Sequence, residues 1–110
     1  MAPGIPQLRE SIDALDREIL ELVARRLELV MKVGEVKRSL GLTVHDPARE
    51  RDLLERVAAA AAPPLTAAMA QRIFQCIIEE SRALEQRHVA ELGPASDAAG
   101  RADGARPKLR

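Results

Sequence analysis

The chain has 110 residues, enough for one small domain, and its 17 Lys plus Arg balance its 17 Asp plus Glu, so no net field draws it to nucleic acid or to an anionic membrane. Phe74 is the sole aromatic residue, which removes base stacking and aromatic cages as modes of recognition. Cys76 is the sole cysteine: it can form neither an intramolecular disulfide nor a thiolate zinc cluster, and its neighbours Ile77 and Ile78 predict a buried, inert thiol.

The spacing predicts three helices and no strand. The first begins after Pro6 and runs to about Leu40, closed by Gly41. Leu8, Ile12, Leu15, Ile19, Leu22, Leu29, Val33, Val36 and Leu40 follow alternating steps of four and three, the rhythm of a helical seam. A second stripe, Leu20, Val23, Leu27 and Val30, widens the apolar face in the middle. The second helix starts with Asp46 as N-cap, Pro47 at its first position and Glu50 in its positive first turn. Leu53, Leu54 and Val57 give it a buried face, and an alanine run leads to the break at Pro63-Pro64. The third helix opens near Leu65-Thr66, carries Met69, Ile73, Phe74, Ile77, Ile78 and Leu84, and ends by about Leu92-Gly93. From Gly93 onward the composition of Ala, Gly, Pro and charge predicts a disordered tail. No apolar run reaches the ~20 residues of a membrane span. The opening MAPGIPQ lacks the basic and hydrophobic regions of a secretory signal, so the expected compartment is the cytoplasm.

Helix one is too long for a compact monomer. Thirty-odd residues at ~1.5 Å each make a rod of about 50 Å, against a radius of gyration of ~13 Å for a globular chain of this size. Two shorter helices cannot cover both of its stripes. A second copy of the chain is the simplest cover, so the expected fold is all-α, with three helices per chain in an intertwined helical homodimer.

Polar residues interrupt the apolar faces at particular places. Between Leu22 and Leu29 the seam rhythm lands on Arg26, a cation that has to be paired or to face a ligand. Lys37 lies three turns on, within ~20° of the same face and ~16 Å along the axis. Arg9 is roughly 100° away around the helix, poorly placed to serve that site in its own chain but able to serve a partner's. On the third helix the stripe of Phe74 and Ile78 continues through Ser81 and Glu85, and on the second Arg49 and Glu50 precede Leu53 and Leu54 by one turn. Each of these has an ordinary explanation: a register-fixing pair in a dimer seam, a solvated face, a small residue at a helix crossing. Gathered on inward faces of three helices, they cost too much without full internal pairing or a bound ligand. Cations dominate the set, so the implied ligand is a small anion with more than one carboxylate. No phosphate loop, nucleophile–base pair or metal spacing occurs, and His45 and His88 read as isolated.

Three blocks carry a resemblance: LRESIDALDREILELVARRLELVMKVGEVK in helix one, HDPARERDLLERV in helix two and IFQCIIEESRALE in helix three. Together, over about residues 7–88, they resemble the all-helical (type II) chorismate mutases. That resemblance implies an isomerase converting chorismate to prephenate by a sigmatropic Claisen rearrangement, on the shikimate route to phenylalanine and tyrosine. It implies an intertwined dimer with two equivalent sites. With the composition of the C-terminal stretch, the expected domain is residues 1–92, with 93–110 as tail. It calls for no cofactor, metal or covalent intermediate.

Carried over by position, Arg9 from the partner chain and Arg26 would clamp the two substrate carboxylates. Lys37 would donate to the ether oxygen. Glu50 would accept from the ring hydroxyl with Asp46 adding a backbone contact, Arg49 would support the carboxylate end, and Ser81 would touch the ring carboxylate. Where many bacterial members carry a glutamine facing the ether oxygen, this chain has Glu85. An ionised carboxylate there would repel a dianion and could not donate, so Glu85 is expected to work in its neutral form. Two rival readings share the scaffold: an isochorismate pyruvate-lyase, and a non-catalytic helical dimerisation or regulatory module.

Overall fold

The structure, a computed structural model, describes residues 2–94. Three helices account for almost all of them: α1 Ile5–Leu40, α2 Pro47–Ala60 and α3 Ala67–Leu92. Local sequence sets each boundary. α1 starts two residues earlier than the sequence suggested, because Pro6 sits within its first turn, where a missing N–H leaves nothing unpaired. It stops at Gly41, whose φ of 71° is the left-handed conformation that glycine adopts without steric cost. Asp46 caps α2 by accepting from the Arg49 N–H, and Thr66 caps α3 by accepting from the Met69 N–H; such caps stabilise a helix by ~1 kcal/mol each.

α3 packs against both α1 and α2, while α1 and α2 do not approach each other. α3 is therefore the element on which the other two are organised. The α1–α3 crossing is tight at Gly34, the one buried residue of α1. A Cβ there would lie 2.8 Å from Glu85 Cγ and 3.1 Å from a Val89 methyl carbon. A mid-helix glycine costs ~1 kcal/mol relative to alanine, and close packing explains its presence. Gly34→Ala is accordingly expected to lower stability by about 1–3 kcal/mol through overpacking, read as a lower melting temperature. It also pushes Glu85 off its position.

α1 presents its two stripes differently. Of the second stripe, Val23, Leu27 and Val30 are half-buried in the single chain and Leu20 is exposed. The seam is bare: Leu8, Ile12, Leu15, Ile19, Leu22, Leu29, Val33, Val36 and Leu40 are each at least half exposed. Ala70 and Ile78 are the only buried apolar side chains among the described residues, too small a core to hold three helices together alone. The radius of gyration, 19.5 Å, is well above the ~13 Å of a compact chain this long.

Cys76 does not conform to the sequence expectation: its thiol is exposed. It borders an open cavity between α3 and Val23, Arg26 and Leu27 of α1, and flanking isoleucines do not bury a residue that points elsewhere on the helix. At the other end of α3 the Arg38 guanidinium donates to the carbonyls of Leu92, Gly93 and Pro94 at 3.2, 2.6 and 2.7 Å, tying that terminus to α1. Gly93 and Pro94 are thus held in place, and the expected disordered tail otherwise concerns residues 95–110, outside those described. No described helix is long and apolar enough to cross a membrane.

Candidate active site

Residues from all three helices meet around one open cavity of about 280 Å³. Arg26, Leu29, Val30, Val33 and Lys37 come from α1, Arg49, Glu50 and Leu53 from α2, and Ile78, Ser81 and Arg82 from α3. Its floor is aliphatic and its rim cationic, and its size is at the small end of the range for small-molecule sites. Five of the residues singled out in the sequence, Arg26, Lys37, Arg49, Glu50 and Ser81, therefore share one wall-to-wall space. The regular helical steps place them: Arg26 and Lys37 on one face of α1, Ser81 one turn after Ile77 on α3.

Arg26 Nη1 donates to Ser81 Oγ at 2.7 Å, and the same hydroxyl donates to the Ile77 carbonyl at 2.6 Å. The serine is thereby locked with its oxygen toward the guanidinium. Burial, and beside it the like charge of Arg49, push Arg26 below its ordinary value, although a guanidinium remains a cation at neutral pH. The group is electrostatically under-compensated.

Lys37 Nζ donates to the Val44 carbonyl at 2.8 Å, so the α1–α2 connection fixes the ammonium. It also lies 3.1 Å from Glu85 Oε2. That approach pairs charges without forming an aligned hydrogen bond, and Oε2 is buried with no hydrogen-bond partner. Glu85 and Ser81 are the two buried polar side chains among the described residues. An orphaned buried carboxylate oxygen marks a place where a further donor is expected.

Glu50 is held differently. Arg82 Nε donates to Oε2 at 3.0 Å and Nη2 to Oε1 at 3.1 Å, a two-pronged contact from α3 to α2. The Arg82 hydrogen bond keeps the Glu50 carboxyl below its usual range, against an opposing effect of burial. Arg82 was not singled out in the sequence. The signal for it was the missing counter-ion of Glu50, but a partner 32 residues away is not legible from spacing.

The remaining candidates lie at or beyond the edge. Asp46 caps α2 and accepts from the Arg49 N–H at 3.2 Å. Arg49 is exposed and also reaches Asp52 at 4.0 Å. Arg9 is not in this cavity; it is exposed on α1, ~25 Å along the axis from Arg26. The histidines are not isolated as the sequence suggested: His45 Nε2 is 3.7 Å from Glu50 Oε1, and His88 Nε2 is 2.7 Å from Glu35 Oε2. Among the described residues no three His, Cys, Asp or Glu side chains come together as a metal site.

Comparisons with known proteins agree with this arrangement. Residues 8–86 match the family model described as chorismate mutase type II. The bifunctional chorismate mutase/prephenate dehydratase of Escherichia coli K12 is 45% identical over 94 residues, 81% of this chain and 24% of that protein. The chain thus spans about a quarter of the length of the bifunctional relatives it matches. The chorismate mutase of Methanocaldococcus jannaschii is 32% identical over 92 residues, covering 83% of this chain and 93% of that protein. Among solved structures, chorismate mutase from Helicobacter pylori in complex with prephenate superposes with a TM-score of 0.73 at 26% identity, over 79% of this chain and 94% of that one. With three helices, a cation-rimmed cavity between them and this family match over most of its length, the chain belongs to the type II chorismate mutase family.

Proposed function

We propose that this chain is a cytoplasmic chorismate mutase, acting as an intertwined homodimer with two equivalent sites and converting chorismate to prephenate. One observation carries the reading. Arg26 is under-compensated by burial and by Arg49, and it faces an open cavity with a neutral hydroxyl as its hydrogen-bond partner among the described residues. A carboxylate in that cavity relieves both costs, and the relative from Helicobacter pylori is in complex with a dicarboxylate of this kind, prephenate.

In this reading Arg26 takes one substrate carboxylate and Arg9, reaching in from the second copy, takes the other. Ser81 turns its one hydroxyl proton from the Ile77 carbonyl to the ring carboxylate, and Arg49 adds charge at the rim. Glu50 accepts from the ring hydroxyl, beside a backbone contact from Asp46. Lys37, which lines the cavity, donates to the ether oxygen, with Glu85 beside it at 3.1 Å. The reaction is intramolecular: the ether C–O bond breaks as a new C–C bond forms, and no group leaves. The protein contributes confinement of the reactive conformer and fixed donors aimed at the oxygen on which charge builds. The bare α1 seam and the two-residue core support the dimer, because a second copy covers what one chain leaves exposed.

The test is to incubate the protein with chorismate, identify the product, and measure its mass in solution. Prephenate and a mass of two chains are expected. No prephenate overturns the mutase reading, with pyruvate released from isochorismate pointing to the lyase instead. A monomeric mass in an active preparation overturns the shared site.

A further inference from the structure

Resting on the mutase reading, the inference concerns how Glu50 is kept available. Glu50 stands on α2, a 14-residue helix with no fully buried residue, and it faces three cations across or beside the cavity: Arg26, Lys37 and Arg49. A carboxylate on a flexible side chain in that setting would swing onto those cations and occupy the anion site itself. It does not. Both of its oxygens are taken from the α3 side by Arg82, at 3.0 and 3.1 Å, in a partly buried contact. His45 approaches Oε1 at 3.7 Å from the preceding loop. Each carboxylate oxygen has two lone-pair directions, so a two-pronged guanidinium leaves Oε2 one free, on a residue that lines the cavity.

We propose that Arg82 is a positioning residue: it holds Glu50 away from Arg26 and Arg49, reserving those cations for the substrate carboxylates, and it aims the free lone pair of Glu50 at the ring hydroxyl. The neighbouring Ser81 and Arg82 then divide the work on α3. Ser81 orients the cation of the clamp, and Arg82 orients the acceptor. A lysine cannot replace it fully, since one ammonium lacks the planar fork that fixes both oxygens.

The test is a set of rates on chorismate for the full chain and for Arg82→Gln, Arg82→Lys, Glu50→Gln and the Arg82→Gln/Glu50→Gln double variant, each with its melting curve. Arg82→Gln is expected to lower kcat/KM by about tenfold or more and Arg82→Lys to recover part of it. The double variant is expected to be no worse than Glu50→Gln alone, because Arg82 acts through Glu50. An unchanged Arg82→Gln rate overturns the assignment, and so does a loss that persists undiminished in the Glu50→Gln background. Should Arg82→Gln fail to fold, Arg82→Lys with and without Glu50→Gln decides by the same coupling. A wild-type protein that makes no prephenate fails at the earlier step and removes the mutase reading together with this one. An active wild type with uncoupled variants removes this one only.

Discussion

Lys37→Met is expected to lower kcat/KM on chorismate by about three orders of magnitude while leaving helical content and solution mass unchanged. The ammonium is fixed before any ligand arrives, by the Val44 carbonyl at 2.8 Å and by Glu85 at 3.1 Å. A donor that needs no reorganisation at the moment the C–O bond breaks contributes most where charge develops, and removing one such donor typically costs ~10²–10³ in rate. A full charge in place of a neutral donor sets the expectation at the upper end of that range. Methionine keeps the length and the apolar stem, so packing is disturbed little. The substitution does leave the buried Glu85 carboxylate without its counter-charge, and the melting temperature should fall for that reason. Lys37→Met/Glu85→Gln separates the two effects: stability returns and activity does not. A Lys37→Met enzyme within tenfold of wild type would remove Lys37 from the chemistry.

What the sequence showed and what it hid divide by range. Helix ends were legible because Gly41, Asp46, Pro47 and Thr66 act on their own backbone neighbours, and the structure puts each where that local chemistry requires. The apolar stripes of α1 were legible as stripes. Their allocation was not, since only packing decides that Val23, Leu27 and Val30 meet α3 while the seam from Leu8 to Leu40 stays bare. The site followed the same rule. Arg26 stood out because it breaks an apolar rhythm, and Ser81 and Glu85 because they continue one. Arg82 looked like one more charge on an exposed face, and its partner is on another helix. The Lys37–Glu85, His88–Glu35 and His45–Glu50 contacts likewise join segments that no periodicity relates, with the last pair close in sequence yet separated by the turn into α2. Cys76 was misread for the complementary reason: neighbours in sequence are not neighbours on a helix face.

In the proposed function the two carboxylates of the site take opposite roles, and Glu85 is the one that sets a test. Glu50 would accept from the ring hydroxyl as a carboxylate; the Arg82 hydrogen bond holds its pKa below the ordinary 4.5, so its charge, and the stability that charge adds, persist above that range and are lost only as pH falls below it. Glu85 has no such clamp. It is buried at the Gly34 crossing, with one ammonium beside an oxygen that makes no hydrogen bond. In the proposed function a carboxylate there adds negative charge beside a dianionic substrate and has no N–H to offer the ether oxygen alongside Lys37. Glu85→Gln keeps the shape of the side chain, removes that charge and can donate an amide N–H, so its kcat/KM on chorismate is expected to match or exceed that of wild type. Glu85→Ala, which leaves no group to donate, is expected to lose about tenfold or more relative to Glu85→Gln. In both variants the Lys37 ammonium loses its carboxylate neighbour at 3.1 Å but keeps the Val44 carbonyl at 2.8 Å, so the comparison between them reads the donor and not the position of Lys37. A Glu85→Gln enzyme tenfold slower than wild type would show that the carboxyl group itself serves the reaction, and equal rates for Glu85→Gln and Glu85→Ala would leave Lys37 as the sole donor.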